Sequence, residues 1–528
     1  MGAKGRRAGW WLPVLATLVL AWWAAQGPGG TGVAGEIYGV AQDVYGATTG
    51  ESAGGVAQEV YGPTAGKAGL TVAAYDATVA AQTCTVSETV YHHRIMIVTS
   101  QGYTGVLSTA YRGLRDDYRL DLRLYTQGDL KVPDTVREMA YELQTTDVVL
   151  FEMVGAESRD GVKALHDAPE TKTCKLLATR STQFPDLPNL DYSLDGILRP
   201  YFDYGGPENM RRLLLYLASN FAGVPLPPGT DTAPLPLPGR FIYHPDAAAT
   251  VAEAAYGSVK SVVYGVYSPG TFVSLADYKA WYRASGHYHE GGFWVGIITY
   301  DTYFKNDNCE VYVALLRELE QRGANVILVF SDSKRDRAVR DFFMEDGRAA
   351  IDVLVAAVGF NFVYGKPEEG VRLFRELNVP VLAPTYSGNL DRWEEDPAGI
   401  AAELYWQVAM PELDGRIEPL FTGGYRTLGV DELTGARLEK VVPLPDRIAR
   451  LAGRTLAWAS LRHKPAPEKK VAVIYYNYDA GRDNIGASYL NVMASAAGVL
   501  NALHGEGYSV PGGWTQEKVQ ELILRQGR

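Results

Sequence analysis

From residue 92 onward the chain alternates short, β-rich apolar runs with stretches of helical periodicity. That alternation confines the fold to α/β with parallel sheets, because a parallel strand pair needs a crossover that a helix usually fills. RIMIVTS (94–100), LDLRLYT (120–126) and DVVLFEMV (147–154) read as buried strands. Residues 134–144, behind Pro133, read as a helix between the last two. ENMRRLLLYLASNF (208–221) has apolar residues at helical spacing and an acidic first turn.

VPLPPGTDTAPLPLPG (224–239) follows, and prolines at this density cannot sit inside a helix or a ladder. We read residues 224–290 as a connection between a first α/β module (91–223) and a second (291–466). The second module has strands at FWVGIITY (293–300), ANVILVFS (324–331), AIDVLVAAVG (350–359) and VPVLAPTY (379–386). An amphipathic helix at 309–323 separates the first two. The pattern is Rossmann-like or flavodoxin-like, and ligands in such sheets sit beyond the carboxyl ends of the strands. That places the loops at Tyr300–Tyr303, Ser331–Ser333, Asn361 and Thr385–Asn389 next to any ligand. A third unit opens at 467 with the strand KKVAVIYYNY (469–478), the loop DAGRDNIG (479–486) and a helix over 487–503. One strand and one or two helices do not close a sheet, so this unit reads as incomplete.

The N-terminus has a different character. Lys4, Arg6 and Arg7 precede an uncharged apolar run at 8–25, the n-region and h-region of an export signal or, uncleaved, a membrane anchor over 1–26. Residues 27–90 are rich in Gly, Ala and Thr and repeat GVAGEIYG (32–39), GVAQDVYG (39–46) and GVAQEVYG (55–62). Three eight-residue copies are too short for a solenoid. A flexible spacer is the expected form, with a β-arch or a tyrosine contact surface as alternatives. Together these features predict a chain exported or anchored with its bulk outside the cytoplasm. Gly62–Lys67 mimics a phosphate-binding loop, but its glycine spacing is one residue short and Ala68 stands where Ser or Thr is needed.

Composition excludes several classes. The net charge is -11 with no basic block, which argues against nucleic acid as a partner. Cys84, Cys174 and Cys309 are too far apart for a Cys-x-x-Cys zinc or redox site, so free or buried thiols are expected, with one bridge as the alternative.

The run Tyr475-Tyr476-Asn477-Tyr478, followed by Asp483-Asn484-Ile485-Gly486-Ala487-Ser488-Tyr489-Leu490-Asn491, is long and specific. It resembles the large subunit of the CobN-type cobaltochelatase and magnesium chelatase H family. Pro411–Gly415 resembles that family's Pro-Glu-Leu-Asp-Gly segment, 204–217 its Gly-Gly-x-x-Asn helix start, and 242–247 a His-Pro turn. Asp479-Ala480 replaces the family's proline pair, and Met493-Ala494-Ser495 its Pro-x-Ser. Family members are typically more than twice as long. The resemblance implies binding of a corrin or porphyrin, insertion of cobalt or magnesium, and ATP supplied through AAA+ partner subunits. The alternatives are an exported, non-enzymatic tetrapyrrole- or metal-binding surface protein, or a truncated gene fragment.

Metal insertion needs a pocket for the macrocycle, a base for ring protons and ligands for the metal. No residue set shows firm metal-ligand spacing. His287-Tyr288-His289-Glu290 is the densest candidate, but it reads better as solvated linker, as does His92-His93, and His244 reads as a turn residue before Pro245. Glu412 and Asp414 could accept protons, yet Gly415 beside them favours a turn. The substrate contacts we expect are Asn477, Asp483, Asn484, Gly486, Ser488 and Asn491. Free N–H groups where this loop opens a helix could bind a tetrapyrrole carboxylate, Gly486 would admit close backbone approach, and Ser488 could cap the helix. The bland alternative is that Asn484, Tyr489 and Asn491 lock the loop and pack the helix.

Overall fold

The computed structural model describes residues 93–169, 174–247, 270–400, 403–474, 485 and 489–526. The expected signal or anchor over 1–26 and the spacer over 27–90 lie outside these residues. Among the described residues, no helix is long and apolar enough to cross a membrane.

The first sheet has five parallel strands in the order β2-β1-β3-β4-β5. They are β1 (His93–Thr99), β2 (Leu120–Thr126), β3 (Val148–Glu152), β4 (Lys175–Thr179) and β5 (Leu190–Asp191). This is the flavodoxin-like order. Because strand side chains alternate between faces, Ile95 and Ile97 join one apolar layer, with Val106 and Leu107 of the helix Gln101–Arg112 and Leu213 and Leu214 of Gly206–Phe221. Met96 and Val98 join the other, against Met139 of Pro133–Glu142 and Leu165 of Arg159–Asp167. Covering by helices on both faces is why these strands read as continuous apolar runs.

The second sheet has the order β13-β12-β8-β9-β6-β7. Strands β8 (Trp294–Tyr300), β9 (Asn325–Ser331), β12 (Val353–Ala356) and β13 (Val381–Leu382) are parallel. Strand β6 (Arg240–Tyr243) runs antiparallel to β9, and β7 (Thr271–Phe272) antiparallel to β6. These two come from the stretch expected to be connection only: the prolines end before Arg240, and Phe241 and Ile242 are apolar enough to extend the sheet. A small hairpin, β10 (Met344–Glu345) and β11 (Arg348–Ala349), precedes β12. The single strand expected at 379–386 is two, because Pro384 interrupts the ladder. Its second half, β14 (Thr385–Ser387), pairs parallel with β15 (Phe421–Val430), which pairs antiparallel with β16 (Arg437–Pro443).

The β15–β16 hairpin reaches back to the first sheet. Leu124 N donates to Thr434 O (3.0 Å), and Arg112 pairs with the buried Asp431 (2.8 Å). At its other end Lys440 pairs with Glu310 (3.0 Å) at the start of the helix Glu310–Gln321.

In the third unit the expected strand is not formed over its described part. Residues 471–474 are exposed and unpaired, and Ile474 is 92% exposed. An apolar β-rich run becomes a strand only with a neighbour to bond, and none of the described strands lies beside it. The expected helix at 487–503 begins later, as Val492–Gly505, and packs on Gln516–Gln526.

Candidate functional site

In the second sheet the chain leaves β8 towards β9 on one side, and β12 lies on the other. The carboxyl ends of β8 and β12 therefore flank the topological switch point, where α/β sheets bind ligands. Aromatic side chains fill this edge. Tyr300, at the end of β8, donates its hydroxyl to Gly359 O (3.1 Å), which ties the two strand ends together. Burial pushes the Tyr300 hydroxyl above its ordinary range. Phe360 has a left-handed backbone (φ 57) and its N–H donates to Trp406 O (2.6 Å). Its ring stacks on Trp406 at 5.5 Å between centroids and 21° between planes. Tyr364 lies 6.0 Å from Phe360, and Tyr386 5.7 Å from Trp406.

Trp406 belongs to a π-helical turn, Tyr405–Ala409, a form frequent at functional sites. Gln407 in that turn exchanges two hydrogen bonds with the Tyr386 backbone (2.8 and 2.7 Å). Asn361 Nδ2 donates to Met410 O (3.1 Å). The expected loops at Tyr300–Tyr303, Asn361 and Thr385–Asn389 thus meet here.

Beneath the edge lies a fully buried ion pair. Arg416 Nε donates to Asp414 Oδ1 (2.8 Å), Nη1 to Val358 O (2.6 Å) and Nη2 to Phe360 O and Asp414 Oδ2. Asp414 Oδ2 also accepts the Phe362 N–H (2.6 Å). Asp414 is therefore a clamp and not a free base. Glu412 is exposed, and Gly415 (φ 89) closes the expected turn, its N–H donating to Glu412 O.

The corresponding edge of the first sheet is held by an internal ion pair, although Glu152 Oε1 accepts no hydrogen bond. Glu152, at the end of β3, is fully buried; Thr99 Oγ1 donates to its Oε2 (2.5 Å) and Arg180 Nη1 lies 3.4 Å from Oε1. Burial raises this carboxyl above its ordinary value, against the pull of Thr99 and Arg180. Arg180 (φ 51) also lies 3.8 Å from Asp203 and 3.5 Å from the Tyr103 hydroxyl. Neither Glu152 nor Arg180 is among the site residues expected from the sequence.

His244, His287 and Glu320 form the one three-residue cluster of metal-ligand type among the described residues, their atoms within 4.8 Å of one another. This corrects two readings: His244 is fully buried as well as turning the chain, and His287 faces the interior and not solvated linker. The chemistry still opposes a metal. His244 Nδ1 accepts the Asp246 N–H (3.2 Å), so its Nε2 carries the proton and donates to Glu320 Oε1 (3.1 Å). Arg317 already sits between the acids, bonded to Asp246 and 3.3 Å from Glu320. Cys174 and Cys309 are free thiols.

Of the expected substrate contacts, Asn477, Asp483, Asn484, Gly486 and Ser488 lie outside the described residues. Asn491 is described and is exposed. Its Oδ1 accepts the Ala494 N–H (3.0 Å) and its Nδ2 donates to Gln516 (3.0 Å). The cap of Val492–Gly505 is therefore Asn491, where Ser488 was expected. Tyr489 is fully exposed and packs nothing.

The family model of CobN/Magnesium Chelatase matches residues 199–528, and the chain belongs to that family. The aerobic cobaltochelatase subunit CobN of Pseudomonas aeruginosa is 27% identical over 439 residues, covering 79% of this chain and 32% of that protein. The chloroplastic magnesium-chelatase subunit ChlH of Oryza sativa subsp. indica is 27% identical over 327 residues, covering 58% of this chain and 21% of its own. The catalytic subunit of cobaltochelatase from Mycobacterium tuberculosis superposes with a TM-score of 0.53 at 17% identity, over 82% of this chain and 32% of that one, a likeness of fold. This chain thus spans 21–32% of the length of these relatives.

Proposed function

We propose that this chain is a large-subunit-like part of an ATP-dependent metal chelatase, and that it binds a corrin or porphyrin for insertion of cobalt or magnesium. The observation that carries the reading is the family match over 199–528. The two α/β modules, each with a switch-point edge, are compatible with it. ATP hydrolysis enters through AAA+ partner subunits, since the only loop that resembles a phosphate cradle, at 62–67, lacks the required spacing. The loop residues Asn477, Asp483, Asn484, Gly486 and Ser488 contact the substrate, with Asn491 holding the following helix. Titration of the purified chain with porphyrins and corrinoids tests this. A Soret-band shift with saturable tryptophan quenching is expected at micromolar concentrations; no change with any macrocycle refutes it.

The basic n-region and apolar run at 4–25 favour a second reading, a binder of tetrapyrrole or metal held outside the cytoplasm. Cell fractionation decides this: the chain is found outside the cytoplasm or in the membrane on this reading, and in the cytosol otherwise.

A further inference from the structure

Two arginines occupy related positions, beyond the carboxyl ends of strands, in the two parallel sheets. In the first sheet Arg180 has carboxylates at 3.4 and 3.8 Å, from Glu152 and Asp203. In the second, Arg335 opens the helix Arg335–Phe342 just after β9 and is only 5% exposed. Its Nε donates to Phe362 O (3.0 Å), and its guanidinium lies over the rings of Tyr300 (5.3 Å) and Phe362 (5.9 Å). The two terminal nitrogens make no hydrogen bond and no ion pair with the described residues, and they are not among the fully buried unpartnered atoms; Asp332 and Asp336 act on the charge only from beyond ion-pair distance. Arg416, whose charge also acts on Arg335, is paired with Asp414. A largely buried guanidinium without an ion-pair partner is costly, and the ring contacts offset only part of that cost. Burial accordingly makes Arg335 hold its proton less tightly than an ordinary arginine.

A second, independent oddity is found on the same edge. Phe360 keeps a left-handed backbone that a bulky side chain adopts only under constraint, and it is 38% exposed. It is held there by Arg416 at its carbonyl and by Trp406 O at its N–H. The result is a stacked Phe360–Trp406 pair, with Tyr364 alongside at 71% exposure. An aromatic pair fixed at the surface by strained backbone offers a flat face to a flat partner.

We propose that the carboxyl edge of the second sheet is a binding site for a planar conjugated ring system bearing a carboxylate, with Arg335 receiving the carboxylate and Phe360–Trp406 stacking on the ring. The demands for an anion and a flat face are set by these residues; naming the ligand as a tetrapyrrole rests on the functional reading above. The site is separate in sequence from the 477–491 loop.

The test uses the full chain, deuteroporphyrin IX with its two propionates, and its dimethyl ester, followed by Soret absorbance and tryptophan quenching. The free acid binds wild type more tightly than the ester does. Arg335→Met weakens the acid roughly 10- to 100-fold, the range of a lost charge-assisted hydrogen bond, and leaves the ester unchanged. Arg335→Lys recovers part of the loss. Phe360→Ala weakens acid and ester alike, by roughly 10-fold for one lost stacking partner. If wild type binds the ester as tightly as the acid, the carboxylate role is overturned without any mutation. If wild type binds the acid and neither Arg335→Met nor Phe360→Ala changes it, this site is wrong and the tetrapyrrole reading stands. If wild type binds neither compound, both fall.

Discussion

Arg416→Met tests whether the edge of the second sheet is built on the Arg416–Asp414 pair. Methionine retains most of the apolar stem and deletes the guanidinium. Three groups then lose a partner: the buried Val358 carbonyl, the partly buried Phe360 carbonyl, and the buried Asp414, which keeps only the Phe362 N–H. Removing one partner of a buried ion pair costs about 3–5 kcal/mol. The orphaned carbonyls overlap with that figure and do not add to it in full. We expect a loss of about 4 kcal/mol, read as a urea midpoint lowered by roughly 1–2 M with tryptophan fluorescence as the probe. Pairing it with Asp414→Leu removes the stranded charge, and the double variant regains part of the loss. A single variant within about 0.5 kcal/mol of wild type, or a double variant whose loss is the sum of the two singles, would show that the pair does not hold this edge.

Three further outcomes follow from the geometry. Glu152 has a folded-state pKa raised above its ordinary 4.5 by burial, so the unfolded chain releases its proton first and stability falls as pH rises from there; Glu152→Gln melts with wild type below that pH and above it at pH 7, and a pH-independent difference contradicts this. Burial alone would raise Asp431, but Arg112 and the Leu433 N–H outweigh it and hold it below 3.8, so the docking of β15–β16 on the first sheet is fully present above that pH and is lost as pH falls. Asp431→Ala costs about 1.5–3 kcal/mol, and amide exchange across 421–443 accelerates; unchanged exchange counts against the docking role. Gly359→Ala places a methyl 2.4 Å from the Trp406 ring, so the ring must shift and the tryptophan emission moves, whereas an unaltered spectrum means the contact is not as described.

The parallel sheets were legible because their strands are covered on both faces, which leaves continuous apolar runs such as Val326–Phe330. Strands that depend on long-range partners were not. Lys175–Thr179 is five residues with little pattern, and β6 is a strand only because β9 offers it an edge. The turn at Asp414–Gly415 was readable from local chemistry, but the pairing of Asp414 with Phe362 crosses 52 residues. Arg335 stands in the polar helix RDRAVRDF and looks solvated; it is buried by Tyr300 and Phe362, which are contributed by other segments. His244 misled for the same reason, since its burial comes from Trp281, Tyr282 and Glu320. The loops at Tyr300, Asn361 and Thr385 were found because a strand end can be located without knowing its neighbours. Trp406 was missed because nothing in YWQVA announces a π-turn.

Hydrogen–deuterium exchange of the full chain, with and without saturating deuteroporphyrin IX, asks both whether a tetrapyrrole binds and where. Slowed exchange is expected in peptides covering 300–303, 357–364 and 403–409, together with the loop at 477–491. Saturable binding that leaves 357–364 and 403–409 unprotected would contradict the assigned edge, and the absence of protection anywhere would contradict tetrapyrrole binding by this chain.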